Sequence, residues 1–139
     1  EAVIHDKLDA VAVDSRIRPQ AYIIKKNQKD IIEKLNLLGF KLEDLKLENL
    51  YNVEQYIVED YFKEKMKYEG VYMQKVKTKT ENIDLENNND YLILFMDQRK
   101  SNLAIEVLEP EAPNSFVSYS IIPTFIGDIL PVYRLTQKI

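Results

Sequence analysis

Few side chains in this sequence can act together in chemistry. There is one histidine, His5, and no cysteine. A histidine-based triad would need His5 to fold back from the start of the chain onto a nucleophile. It reads more simply as an exposed linker side chain. One histidine cannot form a paired-histidine zinc motif, and without thiolates a zinc ion would rest mostly on carboxylates. Three acids, Glu106, Glu109 and Glu111, cluster at the expected end of a helix. Carboxylate pairs do acid–base work when burial separates their pKa values. The negative end of a helix disfavours anions, so the cluster reads as a solvated helix end. Glu109 is the member to watch, because Pro110 and Pro113 restrict the backbone around it.

Other patterns are weaker. Residues 84–90 place oxygen-bearing side chains at alternate positions, as calcium loops do. However, Asn89 stands where the sharp-turn glycine belongs and Phe95 where the bidentate glutamate belongs. The stretch reads as a polar turn. Gly39, Gly70 and Gly127 are too far apart to form a phosphate-cradling loop. The nine tyrosines offer stacking surfaces for sugars or bases, yet most fall in expected strands, where half-buried Tyr is favoured.

Composition bounds the elements that must carry these residues. The 139 residues fit one domain with a real core, and 45% are hydrophobic, enough to offset chain entropy. No apolar run approaches the length of a membrane helix. A net charge of −4 disfavours nonspecific nucleic-acid binding. The chain starts at Glu1 and reads as a trimmed piece of a longer one.

Residues 1–19 are weakly patterned and broken by Pro19, so they read as a linker or edge segment; residues 20–139 read as one domain. Ala21–Ile24 is a short apolar strand. Asn27 is placed to cap the helix that follows, with Asp30 in its first turn. Ile31, Ile32, Leu35 and Leu38 share one helical face, and Gly39 suits the left-handed position after the helix. Residues 40–52 fit either a short helix or a strand, and 53–61 read as strand. Lys63–Lys67 reads as a turn. From Tyr72 to Thr80, Gln74, Val76 and Thr78 alternate with lysines, the pattern of a half-buried strand. Residues 90–96 form a second apolar strand. Asp97 is placed to cap a second helix, with Leu103, Ala104, Val107 and Leu108 on one face and Pro110 ending it. Residues 116–122 and 132–135 read as strands, divided by prolines. The blocks Ile23–Gln28 and Ile93–Gln98 match at an offset of 70, each a strand followed by a capping side chain, Gln and a helix. The plainer explanation is convergence on the same cap chemistry.

Two stretches taken together are familiar. The first runs from Arg18-Pro19-Gln20-Ala21-Tyr22-Ile23-Ile24 through Gln28 to Leu37-Leu38-Gly39-Phe40. The second runs from Tyr91-Leu92-Ile93-Leu94-Phe95-Met96-Asp97-Gln98 to Leu108-Glu109-Pro110-Glu111-Ala112-Pro113-Asn114-Ser115-Phe116. Their order resembles the region downstream of the catalytic domain in large bacterial zinc carboxypeptidases of the carboxypeptidase A-like class. The resemblance covers most of residues 10–135, and the Leu-Glu-Pro-Glu block is its most distinctive piece. Lys25 stands where that region usually has proline, and Tyr119 where it has tryptophan. The resemblance implies a parent enzyme that removes C-terminal residues from peptides using zinc. It also implies an exported, periplasmic or extracellular, address.

That family's metal site uses a His-x-x-Glu pair and a later His, which this chain cannot supply. The resemblance therefore implies a non-catalytic C-terminal accessory domain, with zinc only in the parent and the parent's catalytic domain as partner. No catalytic, cofactor-binding or metal-binding residue carries over. The positions bearing the signature are Tyr22, Asn27, Gln28, Gly39, Asp97, Gln98, Glu109 and Pro110. Two other readings compete with it: a stand-alone carbohydrate- or protein-binding module using tyrosines, and a small enzyme using Glu109 or Glu106 as base. The expected fold is α+β, a largely antiparallel sheet with two main helices on one side; a β-sandwich with peripheral helices is the alternative.

Overall fold

A computed structural model describes residues 16–46, 50–86 and 89–136. It is an α+β fold built on a mostly antiparallel sheet with two helices among the described residues. The chain divides into two compact units. The expected residues of the N-terminal linker up to position 15, including His5, lie outside the described residues.

The sheet unit comprises Ile17–Tyr56, Thr80–Ser101 and the chain from Leu130 on. The strands of the chain are β1 (Ala21–Lys25), β2 (Glu43–Asp44), β3 (Leu50–Tyr68), β4 (Val71–Glu86), β5 (Tyr91–Phe95) and β6 (Ile129–Leu135), in the order β2-β5-β1-β6-β3-β4; of these, β1, β2 and β5 lie wholly in this unit. β1 lies between β5 and β6 and pairs antiparallel with both. With neighbours on both edges and apolar side chains on both faces, Ala21, Tyr22, Ile23 and Ile24 are wholly buried. This is why the run shows no alternation. Ala21, Ile23, Ile93, Tyr133 and Leu135 share a core cluster with Leu45, Val53 and Leu85. Ile23 pairs directly with Ile93. The strands β1 and β5 are thus antiparallel neighbours centred on that pair, and the two blocks related by the offset of 70 meet only at their first residues.

Helix α1 (Lys29–Leu37) buries Ile31 and Leu35 and carries Asp30 in its first turn. Its cap position is Gln28, and no side chain caps it, so Asn27 does not take the expected role. Asn27 Oδ1 instead accepts from Gln28 Nε2 at 3.3 Å. The helix ends as expected. Gly39, at φ +92°, lets its own N–H reach Asn36 O and the Phe40 N–H reach Leu35 O, both at 3.0 Å. Lys100 Nζ donates to the terminal carbonyl of Leu38 at 3.0 Å, where the helix end favours a cation.

The second unit comprises Arg16, Ile57–Lys79 and Asn102–Ile129 among the described residues. Here the expectation of a turn at Lys63–Lys67 is corrected. β3 continues to Tyr68, and the reversal falls at Glu69 and Gly70, with φ of +49° and +82°. Both values are positive, as a two-residue hairpin turn requires. The charged run stays in strand because most of its side chains are exposed and its backbone pairs along the hairpin. Gln74, Val76 and Thr78 are buried as their alternation predicts. β4 also extends to Glu86, through part of the expected polar turn.

Helix α2 (Ser101–Leu108) buries Ala104, Val107 and Leu108. It starts four residues after Asp97, because Gln98 shapes the preceding bend: its Nε2 donates to Phe95 O at 2.7 Å and its Oε1 accepts from Lys41 N at 2.9 Å. Residues 116–122 form consecutive turns rather than the expected strand. Ser115 Oγ accepts the Ser118 N–H at 3.0 Å, and the Tyr119 N–H donates to Ser115 O at 3.0 Å. Such local bonds offer the backbone an alternative to a ladder.

Candidate functional site

Where α2 stops, Pro110 removes the next backbone donor and the chain turns. The two glutamates flanking it do not face solvent. Glu109 and Glu111 are each only 3% exposed, which overturns the expectation of a solvated helix end for both. Glu106 is exposed and accepts from Asn114 Nδ2 at 2.9 Å.

The partner that explains the burial is Arg16. Its Nη1 donates to Glu111 Oε1 at 2.5 Å and to Glu109 Oε1 at 3.2 Å, while its Nη2 lies 3.3 Å from Glu111 Oε2. The planar guanidinium suits this two-pronged contact, which an ammonium could not match. Glu111 Oε2 also accepts the Thr78 N–H at 2.7 Å and the Thr78 hydroxyl at 2.6 Å. Thr78 Oγ1 in turn accepts from Arg16 Nη2 at 2.6 Å. The carboxylate of Glu111 thus fills one backbone position of β4 and holds Arg16 at the same time. Every named oxygen is committed to a donor. The arrangement is a clamp that ties Arg16, β4 and the turn after α2 together, rather than a pair poised to move a proton.

Residues 110–122 have no ladder to satisfy their backbone, and buried polar side chains share that work with the backbone bonds of the turns. Gln74 Nε2 donates to Val117 O at 2.9 Å and Ile122 O at 2.7 Å, and its Oε1 accepts from Tyr61 at 3.0 Å. Ser115 Oγ donates to Pro110 O at 3.0 Å, and Ser118 Oγ to Ala112 O at 2.8 Å. Burial pushes the Tyr61 phenol above its ordinary value.

Among the described residues of the sheet unit, Arg134 is a buried cation, at 2% exposure. It donates from Nη2 to the carbonyl of Ile17, and its Nη1 lies 3.7 Å from Glu54. Tyr133 and Tyr91 meet edge to face at 6.0 Å. Burial raises the pKa of both phenols, and the neighbouring Tyr133 raises Tyr91 further.

The signature positions separate by role. Tyr22 is buried in β1, Gly39 ends α1, Gln98 braces the bend before α2, and Glu109 and Pro110 belong to the clamp region. Asn27 and Asp97 are exposed, and Gln28 is half-buried. Sequence reasoning missed Arg16 and Arg134, and it placed Gln74 and Thr78 on the buried side of a strand without their hydrogen-bonding role. The signal for Arg16 was present: two acids beside a proline that ends an apolar helix need a cation if they are to be buried. Of the tyrosines, Tyr22, Tyr56 and Tyr133 are buried, while Tyr68 and Tyr72 are exposed. Lys63 and Lys67 each hold Nζ 5.4 Å from the Tyr72 ring centroid. An open cleft of about 480 Å³ at the hairpin is lined by residues including Met66, Met73, Lys75 and Tyr119, and neither Glu109 nor Glu111 lines it. Among the described residues, no three His, Cys, Asp or Glu side chains are grouped to hold a metal ion. No helix among them is long and apolar enough to cross a membrane.

Comparison with known proteins gives one consistent result. The chain is 34% identical over 126 residues to Carboxypeptidase 2 of Trichophyton equinum and 33% identical to Carboxypeptidase 2 of Trichophyton tonsurans. Each match covers 91% of this chain but 23% of the relative's length. The chain therefore spans about a quarter of the curated relatives it matches. These relatives are fungal, so the bacterial origin implied by the resemblance finds no support in them. No family description matches the chain, and neither does any solved structure.

Proposed function

We propose that this chain is the non-catalytic, C-terminal accessory region of an exported zinc metallocarboxypeptidase, supporting the folding or the substrate cleft of its parent. The carrying observation is the match itself: nearly the whole chain aligns with a segment that makes up 23% of proteins named Carboxypeptidase 2. The chemistry of the described residues supports the same reading. The buried carboxylates are occupied in a clamp. Zinc, in this account, belongs to the catalytic part of the parent, where it would polarise the scissile carbonyl and activate water. This chain's residues contribute a stable body beside it.

The test uses the full-length parent. It should release C-terminal residues from peptides, lose that activity to a chelator and regain it with zinc. Glu106→Gln, at an exposed acid, should leave kcat unchanged. A parent without peptidase activity would refute the proposal. So would a Glu106→Gln parent that folds normally but loses kcat, since that would bring this chain into the chemistry.

A further inference from the structure

The unit containing α2 displays an apolar ledge that the described residues leave exposed. Phe125, Ile126 and Ile129 are 61%, 52% and 56% exposed within five residues of chain. Large apolar side chains are exposed singly on most surfaces, and contiguous exposed patches of a few hundred Å² are often functional. This ledge is held rigid. Asp128 Oδ2 accepts the Phe125 N–H at 2.8 Å and the Thr124 hydroxyl at 3.1 Å. The Asp128 N–H returns to Phe125 O at 3.1 Å, the Gly127 N–H donates to Val58 O at 2.8 Å, and the Val58 N–H donates to Asp128 O at 2.9 Å. Gly127, at φ +93°, takes the left-handed conformation that closes the turn. Phe125 is braced edge to face on Tyr61, with centroids 5.1 Å apart. Holding a loop fixed before it binds lowers the ordering cost of binding.

We propose that residues 124–129 form the docking face for another part of the same parent polypeptide, an apolar surface outside these 139 residues. The inference rests on the reading of the chain as one region of a longer peptidase. Two observations favour this occupant over a second copy. The curated relatives carry the matched segment as 23% of their length, so most of the polypeptide available to cover the ledge is tethered to it. A tether gives a high effective concentration and removes much of the cost of association. The ledge is also small. Three half-exposed side chains of this size offer roughly 300 Å². A stable complex between separate chains takes about 800 Å² per partner.

The test is photo-crosslinking in the full-length parent, with p-benzoylphenylalanine at Ile126 and, as control, at exposed Lys77. Heavy- and light-isotope preparations are mixed before irradiation. The expected result is a crosslink from position 126 to a peptide outside these 139 residues, within one isotope label, at least tenfold above the control. Crosslinks joining heavy to light copies would overturn the proposal, as would crosslinks confined to these 139 residues or a yield no higher than at Lys77. Zinc-dependent peptidase activity is measured on the same protein. Activity without the crosslink refutes the docking face alone, and the crosslink without activity refutes the peptidase reading alone.

Discussion

The two units solve the same problem with different materials. In the sheet unit, backbone groups satisfy one another across β5, β1 and β6, so the side chains between them are free to be apolar. In the unit containing α2, the chain from Pro110 to Ile122 makes turns without a ladder, and Gln74, Thr78, Glu109, Glu111, Ser115 and Ser118 are buried in compensation. Buried polar groups stabilise only when every partner is in place. The sheet unit should therefore fail gradually under core truncation, whereas the clamp should fail abruptly when one partner is lost.

The largest expected effect breaks the clamp. Arg16→Ala leaves the buried carboxylates of Glu109 and Glu111 without the cation they share and should cost about 3–5 kcal/mol in chemical denaturation. Arg16→Lys should recover only part of that, because an ammonium cannot span both oxygens. An Arg16→Ala loss under about 1 kcal/mol would remove the clamp from the account. In the sheet unit, Ile23→Ala should cost about 2–5 kcal/mol through the cavity it leaves, and Ile23→Val about 1 kcal/mol. A similarly steep loss for both would erase the contrast between the units. Gln74→Leu keeps the volume but orphans two buried carbonyls and should cost about 1–3 kcal/mol. Gly39→Ala forces a Cβ into the left-handed region and should cost about 1–2 kcal/mol.

The smallest effect is a pH dependence. Tyr133 and Tyr91 have folded-state pKa values raised above the ordinary 10.0, mainly by burial. Unfolded tyrosines then release protons first as pH rises, so their contribution is complete below pH 10 and declines above it. Tyrosinate absorbance from these two side chains should appear at higher pH in the folded protein than in the unfolded one. Tyr133→Phe should flatten the alkaline decline, and an unchanged decline would assign it to other groups.

The sheet unit was the more legible of the two. Ala21–Ile24 and residues 91–95 announced themselves as apolar runs, and Gly39 marked the end of α1, because these signals are local. The alternation from Tyr72 to Thr80 was equally plain. Failures occurred where side-chain hydrogen bonds, near or distant in sequence, decide local structure. Gln98 delays α2 through contacts with Lys41, and Ser115 folds an apparent strand into turns. The clamp was half visible. Its acids stood out beside Pro110, but the separation between Arg16 and Glu111 in sequence hid the partner that buries them.

The central claim, that this chain serves a peptidase without performing its chemistry, is tested most directly by reading the parent's coding sequence upstream of Glu1. The account predicts a His-x-x-Glu pair followed by a later His, the ligands this chain does not supply. An upstream sequence without them would contradict the carboxypeptidase reading and bring the binding-module reading to the front.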